Sequence, residues 1–332
     1  MPGLKLIIKI FKIFIPLLIG IFFIYLSFKN TTQEDRENIL KFVKNADYRY
    51  VLLSPFLGFL SHLSRAYRWK YLLSPLGYNP SFLNSTLSVF IAYIANLGIP
   101  RSGEIIRATV MNSYEKIPFE KGFGTIIAER IIDLIILICF LFIALIIHFD
   151  LVISFIPIEK FETSNILLFL FILSTVVFIW KVIFKKLNFT IIKKIKFFFS
   201  GLWEGVISLR KIEKKSSFIF HTSFIWIMYV AMFYVIKWAL PETSSLSLIE
   251  LIPAFVIGGL TISATNGGIG IYPYSISLAL FAFGISNESG LAFGWIIWTA
   301  QTAMIVFCGG LSFFILPIVN RSKKIKFSSQ NE

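Results

Sequence analysis

Asn96-Leu97-Gly98-Ile99-Pro100-Arg101-Ser102-Gly103-Glu104 interrupts an apolar run that extends from Phe82 to Met111. The run is longer than one membrane crossing, yet its middle holds glycine, proline and charge, which do not continue an apolar helix. Broken backbone exposes N–H and C=O groups that lipid cannot satisfy, so it must be buried in protein or line a wet cavity. The segment therefore reads as a re-entrant hairpin. A second run, Leu248 to Ile285, is broken in the same way at Asn266-Gly267-Gly268-Ile269-Gly270-Ile271-Tyr272-Pro273.

Around the two breaks lie uninterrupted apolar stretches near 7–28, 50–66, 125–148, 165–184, 217–238 and 291–317. Each is compatible with the roughly 20 residues that a helix needs to cross a bilayer. Composition agrees, since 332 residues with 56% hydrophobic and 15% charged content, including 37 Phe, describe a surface that lipid accepts and water does not. The fold class is all-α: a polytopic helical membrane protein of about six full spans plus two broken re-entrant hairpins.

The net charge of +14 sits in loops. Between Lys181 and Lys215 ten basic residues face only Glu204 and Glu213, the signature of a cytoplasmic loop. With both broken runs as hairpins, the basic segments at 65–70, 116–121, 181–215 and 321–326 all fall on the side of the N-terminus. Segments 29–49, 150–164, 239–247 and 286–290 fall opposite. The expected location is the cell membrane, multi-pass, with N- and C-termini cytoplasmic. Lys5, Lys9 and Lys12 before Ile13–Phe28 give the charge order of a signal peptide, but without a small-residue cleavage site the stretch reads as a first span that stays attached.

The domain plan is a single transmembrane domain over 1–320, with halves at about 50–148 and 217–317. A span at 165–184 and a basic segment at 185–215 join them, and 321–332 is a cytoplasmic tail. Phe197, Phe198, Phe199, Leu202 and Trp203 alternate with lysines in the joining segment, which reads either as an amphipathic helix on anionic lipid or as an ordinary basic loop. In the first half a span, a hairpin and a span follow one another; in the second the order recurs upside down. The breaks are offset by about 166 residues, as inverted repeats of transporters are, although two broken segments can also match by chance.

Four constellations carry candidate chemistry. Arg101, Glu104 and Arg107 follow the first break, where a half-helix starting near Ser102 would aim free amides and its positive dipole end at a phosphate. Glu104 and Arg107, spaced i, i+3, can pair, leaving Arg101 for a ligand; alternatively both arginines snorkel to headgroups. Glu129, Arg130 and Asp133 open a long apolar span, either as an internally paired cluster or as a proton or substrate site. Arg65 and Arg68, within Arg65-Ala66-Tyr67-Arg68-Trp69-Lys70, read as an interfacial aromatic belt or as a headgroup contact. Asn266, Gly267 and Gly268 can grip a substrate with exposed backbone or can simply form a tight turn.

Other chemistries find no residues. His62, His148 and His221 lack metal-ligand spacing, and Cys139 and Cys308 lie far apart inside apolar runs. No cofactor or metal is indicated, and no catalytic serine motif, zinc motif or phosphate-loop lysine is present. Nucleic acid is not an expected partner.

R-x-x-R-W at Arg65–Trp69, N-x-G-x-P-R-x-G-E-x-x-R at Asn96–Arg107, E-R-x-x-D at Glu129–Asp133 and N-G-G-I-G at Asn266–Gly270 together resemble the transmembrane region of lysylphosphatidylglycerol synthases, a flippase-like family. The resemblance covers nearly the whole chain. It implies translocation of a lipid, and the soluble aminoacyl-transferase domain of the two-part members does not follow here. Many relatives place an acidic residue soon after the glycines, where this chain reads Ile271-Tyr272-Pro273-Tyr274, which implies an uncharged or glycosylated headgroup on an anionic phosphate rather than an aminoacyl-lipid. The expected function is a lipid translocase whose partners are a phospholipid or lipid-linked substrate and, at 185–215, anionic lipid. A membrane-embedded lipid-modifying enzyme using Glu129 or Asp133 as base and a non-catalytic assembly partner are the alternatives.

Overall fold

A computed structural model describes residues 33–99, 101–149, 189–265 and 267–321; the expected spans at 7–28 and 165–184, the residues Pro100 and Asn266, and the tail from 322 lie outside the described residues. Every regular element among the described residues is helical. The α-helices are α1 Gln33–Asn45, α2 Tyr48–Leu73, α3 Phe82–Gly98, α4 Ser102–Glu115, α5 Phe119–Ile147, α6 Phe189–Ile207, α7 Lys215–Tyr234, α8 Leu248–Ala264, α9 Ile271–Phe281 and α10 Asn287–Val319.

Local chemistry sets several of these starts. Asp47 accepts a 3.0 Å hydrogen bond from the Arg49 amide and caps α2. Ser247 and Glu250 form a reciprocal capping box at α8, and Ser286 accepts from the Ser289 amide at α10. Three helices are long and apolar enough to cross a membrane: α5, α7 with its 3₁₀ extension to Ala239, and α10. Their large side chains face outward, Ile146 at 82% and Phe314 at 73% exposure, which suits lipid and not water. The chain is an all-α membrane protein.

Both broken runs fold back on themselves. At the first, Gly103 of α4 meets the Ala92 carbonyl of α3 beside the break, while Asn84 donates to the Glu115 carboxylate at the open end. At the second, Gly258 of α8 lies under Tyr272 and Ile276 of α9, and Thr261 bonds Ser275 at 3.3 Å.

The remaining contacts come in matched pairs. The start of α5 packs on α4, through Glu129 to Arg107, and the start of α10 packs on α9, through Gly290 to Ser277. Further along, α5 reaches α8, with the Phe140 and Phe255 rings 5.5 Å apart, and α10 reaches α3, with Gly309 on Ile94. Exchanging α2–α5 for α7–α10 turns each contact into its partner, which is the contact plan of an inverted repeat. The exchange maps α2 and α7 onto each other, and these two run antiparallel along a shared seam. The Asp47 amide donates to the Ala239 carbonyl at 2.9 Å, Ser54 Oγ to the Met232 carbonyl at 2.7 Å, and Ser64 Oγ lies 2.9 Å from His221 Nδ1.

The two tips meet. Arg101 Nη2 donates to the Ser263 carbonyl at the end of α8, 2.7 Å away. Gly267 lies against Leu97, so closely that an added Cβ would be 2.9 Å from its Cδ2. Trp298 of α10 fixes the second tip by donating from Nε1 to the Gly267 carbonyl at 2.7 Å.

Candidate functional site

The first break enters α4 through Arg101, whose φ of 60° puts a non-glycine residue in the left-handed region. The second enters α9 through Gly270, with φ of 71°. Both breaks thus turn by the same device, with an arginine where the other has a glycine. Arg101 is exposed and makes no ion pair among the described residues, its printed partner being the Ser263 carbonyl.

The α4 amides are less free than the sequence leads one to expect. Asn96, one turn before the end of α3, accepts from the Gly103 amide at 2.7 Å, and the Ser102 amide donates to the Ile99 carbonyl at 3.2 Å. The side chain of Ser102 also turns back, to the Ala95 and Ile99 carbonyls. The start of α4 is therefore capped by its own hairpin. At the second break the backbone groups of Gly267 and Gly268 are similarly answered by Thr265, Tyr272 and Trp298, which matches the tight-turn alternative.

Arg65, Arg68, Arg107, Glu129, Arg130 and Asp133, which the sequence presents as three separate strings, come together where α2, α4 and α5 meet. Arg107 Nη1 donates to Glu129 Oε2 at 2.6 Å, and Arg65 Nη1 to Asp133 Oδ2 at 2.7 Å. Arg68 spans both carboxylates, with Nη2 3.2 Å from Asp133 Oδ1 and Nε 3.8 Å from Glu129 Oε1. Arg130 stands at the rim, 3.8 Å from Asp133 and 36% exposed. Elsewhere the cluster is closed: Glu129 and Arg68 are at 0% and Arg65 at 2% exposure.

Neighbouring groups orient these cations. The Arg107 guanidinium stacks on Trp69, 3.7 Å from the ring centroid, and Trp69 Nε1 donates to Thr125 Oγ1 at 2.8 Å. Arg68 Nη1 donates to Thr222 of α7 at 3.1 Å. Arg65 Nη2 donates to Tyr229 of α7 at 3.2 Å, and the Tyr229 hydroxyl lies 3.4 Å from that of Tyr93. Through Thr222 and Tyr229 the first half is tied to the seam helix of the second.

Two expectations are corrected here. Arg107 does not pair with Glu104 one turn away but with Glu129, because α5 brings a carboxylate against its buried face; Glu104 keeps a buried Oε2 without a hydrogen-bond partner. Arg65, Arg68 and Trp69 do not form an interfacial belt, since all three are buried between helices; only Tyr67 and Lys70 of that string are exposed. The Arg130–Asp133 spacing does yield a long ion contact. Asn266 lies outside the described residues. Thr125, Thr222, Tyr93 and Tyr229 went unnoticed in the sequence, where the available signal was a hydroxyl inside an apolar span.

A buried ion cluster beside two joined re-entrant tips defines a membrane protein with a polar interior, not a soluble enzyme. The chain belongs to the family described as the lysylphosphatidylglycerol synthase TM region, which matches residues 13–310. It is 27% identical over 279 residues to a UPF0104 membrane protein of Methanocaldococcus jannaschii, covering 75% of this chain and 79% of the relative. A UPF0104 membrane protein of Pyrococcus horikoshii is 31% identical over 112 residues, 32% of this chain and 33% of that one. Glycosyltransferase AglD of Haloferax volcanii is 29% identical over 102 residues, 30% of this chain and only 16% of that protein. No solved structure matches the chain.

Proposed function

We propose that this protein is a lipid translocase that moves a phosphate-bearing lipid between membrane leaflets at the junction of its two re-entrant tips. The observation that carries the reading is Arg101 itself. A side chain in the left-handed region costs about 1 kcal/mol or more relative to glycine, and the inverted counterpart at the same turn is Gly270. Strain of this kind persists where a side chain is needed. Arg101 places an unneutralised cation where the halves touch, within reach of any headgroup entering between them.

The frame suits alternating exposure. Two inverted halves meet along the α2–α7 seam, so rocking one against the other opens the tip junction to either side in turn. Aromatic clusters mark both ends of that seam, Tyr67, Tyr71 and His221 at one and Tyr50, Tyr234 and Trp238 at the other. Along α2, Tyr50 and Tyr67 are separated by about 26 Å at 1.5 Å per residue, close to the thickness of a hydrocarbon core. This supports a multi-pass arrangement with the basic end of α2 and both termini in the cytoplasm.

The helix α6 fits a place on the anionic leaflet. It crosses the start of α5 at Gly124 and Gly205, Lys121 pairs with Glu204 at 2.9 Å, and Phe197 and Trp203 remain exposed at 71% and 64%. Against a lipid-modifying enzyme stands the state of its would-be bases, since Glu129 and Asp133 are both held by arginines.

The test is reconstitution in vesicles carrying labelled phosphatidic acid, phosphatidylglycerol or a glycosylated phospholipid. Wild type should move at least one of them, and Arg101→Ala should slow it about tenfold, as loss of a charge-assisted hydrogen bond of about 1.5–3 kcal/mol implies. No movement of any lipid, or equal rates for the variant, overturns the proposal.

A further inference from the structure

The charges of the buried cluster do not balance. Four guanidinium groups, Arg65, Arg68, Arg107 and Arg130, share two carboxylates, Glu129 and Asp133, and no ion pair joins Glu104 to them among the described residues. Two positive charges are left over in a place where charge is costly. The donors tell the same story. The Nε–H groups of Arg65, Arg68, Arg107 and Arg130 are buried without a hydrogen-bond acceptor, and so is Nη2 of Arg107.

Arg107 is the most specific of these. Its Nη1 is spent on Glu129, its face lies on Trp69, and Nε and Nη2 form the side-on edge of the guanidinium, the two parallel N–H groups that match a pair of oxygens on one phosphorus or carbon. That fork is 97% or more buried and empty, as Arg107 is only 3% exposed. Burying five unanswered cationic donors is unfavourable by itself, so the arrangement is complete only with an acceptor present.

We infer that the arginine cluster is an oxyanion site for a group carrying two negative charges, a phosphate monoester or a pyrophosphate, with Arg107 as its bidentate clamp. A phosphodiester brings one charge and would leave the cluster cationic, whereas two charges equal the surplus. Half-exposed Arg130 and the Asp133 edge form its mouth, bordered by the hydroxyls of Tyr93 and Tyr229. The inference rests on the translocase reading only in taking this group to be the headgroup that is carried; the binding site stands or falls by itself.

The probes are inorganic phosphate, pyrophosphate, dihexanoyl phosphatidic acid and dihexanoyl phosphatidylglycerol, added at matched ionic strength to the full chain in a neutral detergent, with thermal unfolding as readout. Pyrophosphate and phosphatidic acid should raise the midpoint, and phosphatidylglycerol should raise it far less. A response to phosphatidic acid at about tenfold lower concentration than to phosphate identifies a lipid-borne group, and equal responses identify a free anion; both support the site. Arg107→Lys, which keeps the charge and loses the fork, should abolish the response, while Arg101→Ala should retain it.

Should Arg107→Lys not fold, Glu129→Gln serves instead, because removing a competing carboxylate raises the surplus and should strengthen pyrophosphate binding several-fold. No midpoint shift with any dianion, equal shifts for phosphatidylglycerol, or weaker binding in Glu129→Gln overturns the inference. A dianion response without lipid movement would sink the translocase and leave this site standing; lipid movement without a dianion response would do the reverse.

Discussion

Where α2, α4 and α5 come together, four arginines and two carboxylates fill the space between helices. In the inverted copy, where α7, α9 and α10 come together, Phe233, Ile236, Ile276, Phe293 and Ile297 fill it, every one of them buried. The one buried cation there, Lys237, gives its ammonium to the Leu246 carbonyl and lies over Tyr234 and Trp238, with no carboxylate involved. One helix plan is thus held by ions in one half and by apolar side chains in the other. A buried ion set is commonly no more stabilising than an apolar set of similar volume, and the second half displays that apolar alternative on the same scaffold. The charges of the first half are therefore retained for something other than folding.

The largest effect that could break this comparison is at Glu129. Glu129→Ala strands Arg107 and Arg68 in a closed site and should cost about 3–5 kcal/mol, read as a lower unfolding midpoint and a smaller recovered folded fraction in detergent. The matching deletion in the other half, Ile297→Ala, should cost about 3 kcal/mol by leaving a cavity, and should respond to no anion. If added pyrophosphate rescues Glu129→Ala but not Ile297→Ala, the two halves differ in kind as argued. Equal rescue of both, or of neither, would mean that the ions are ordinary packing.

A smaller effect is expected at the junction. Gly267 has φ of 67° and touches Leu97, so Gly267→Ala combines left-handed strain with a close contact and should cost about 1–2 kcal/mol. Because it pushes the tips apart, it should also slow lipid movement without altering the dianion response. A changed dianion response would show that the two sites are one.

The sequence made the scaffold legible and the site only in pieces. Apolar run length locates α2, α5, α7 and α10 to within a few residues, and glycine with proline locates both breaks, since those signals depend on local backbone chemistry. Glu129, Arg107 and Arg68 were each visible as costly charges at membrane depth. Their partners were not, because pairing is decided by which helix faces which: Arg107 prefers Glu129, 22 positions away, over Glu104 in its own helix. Arg65 and Arg68 lie beside Tyr67 and Lys70, and only the burial of one helix face separates the ligating pair from the exposed pair. Asn96 as the acceptor for the Gly103 amide was likewise invisible, being a contact made by the hairpin's closure.

The finest test of the comparison is to make the first break like the second. Arg101→Gly gives α4 the same glycine entry that Gly270 gives α9, and relief of the left-handed side chain should raise stability by about 1 kcal/mol. It also removes the 2.7 Å bond to Ser263, worth about as much at an exposed position, so the net change in unfolding midpoint should be close to zero. Arg101→Ala loses the same bond and keeps most of the strain, so it should unfold at a lower temperature than Arg101→Gly. Lipid movement should not follow that order: both variants lack the cation and should be equally slow. Should Arg101→Gly instead move lipid at the wild-type rate, the arginine at this turn has no part in transport and the asymmetry between the breaks loses its functional meaning.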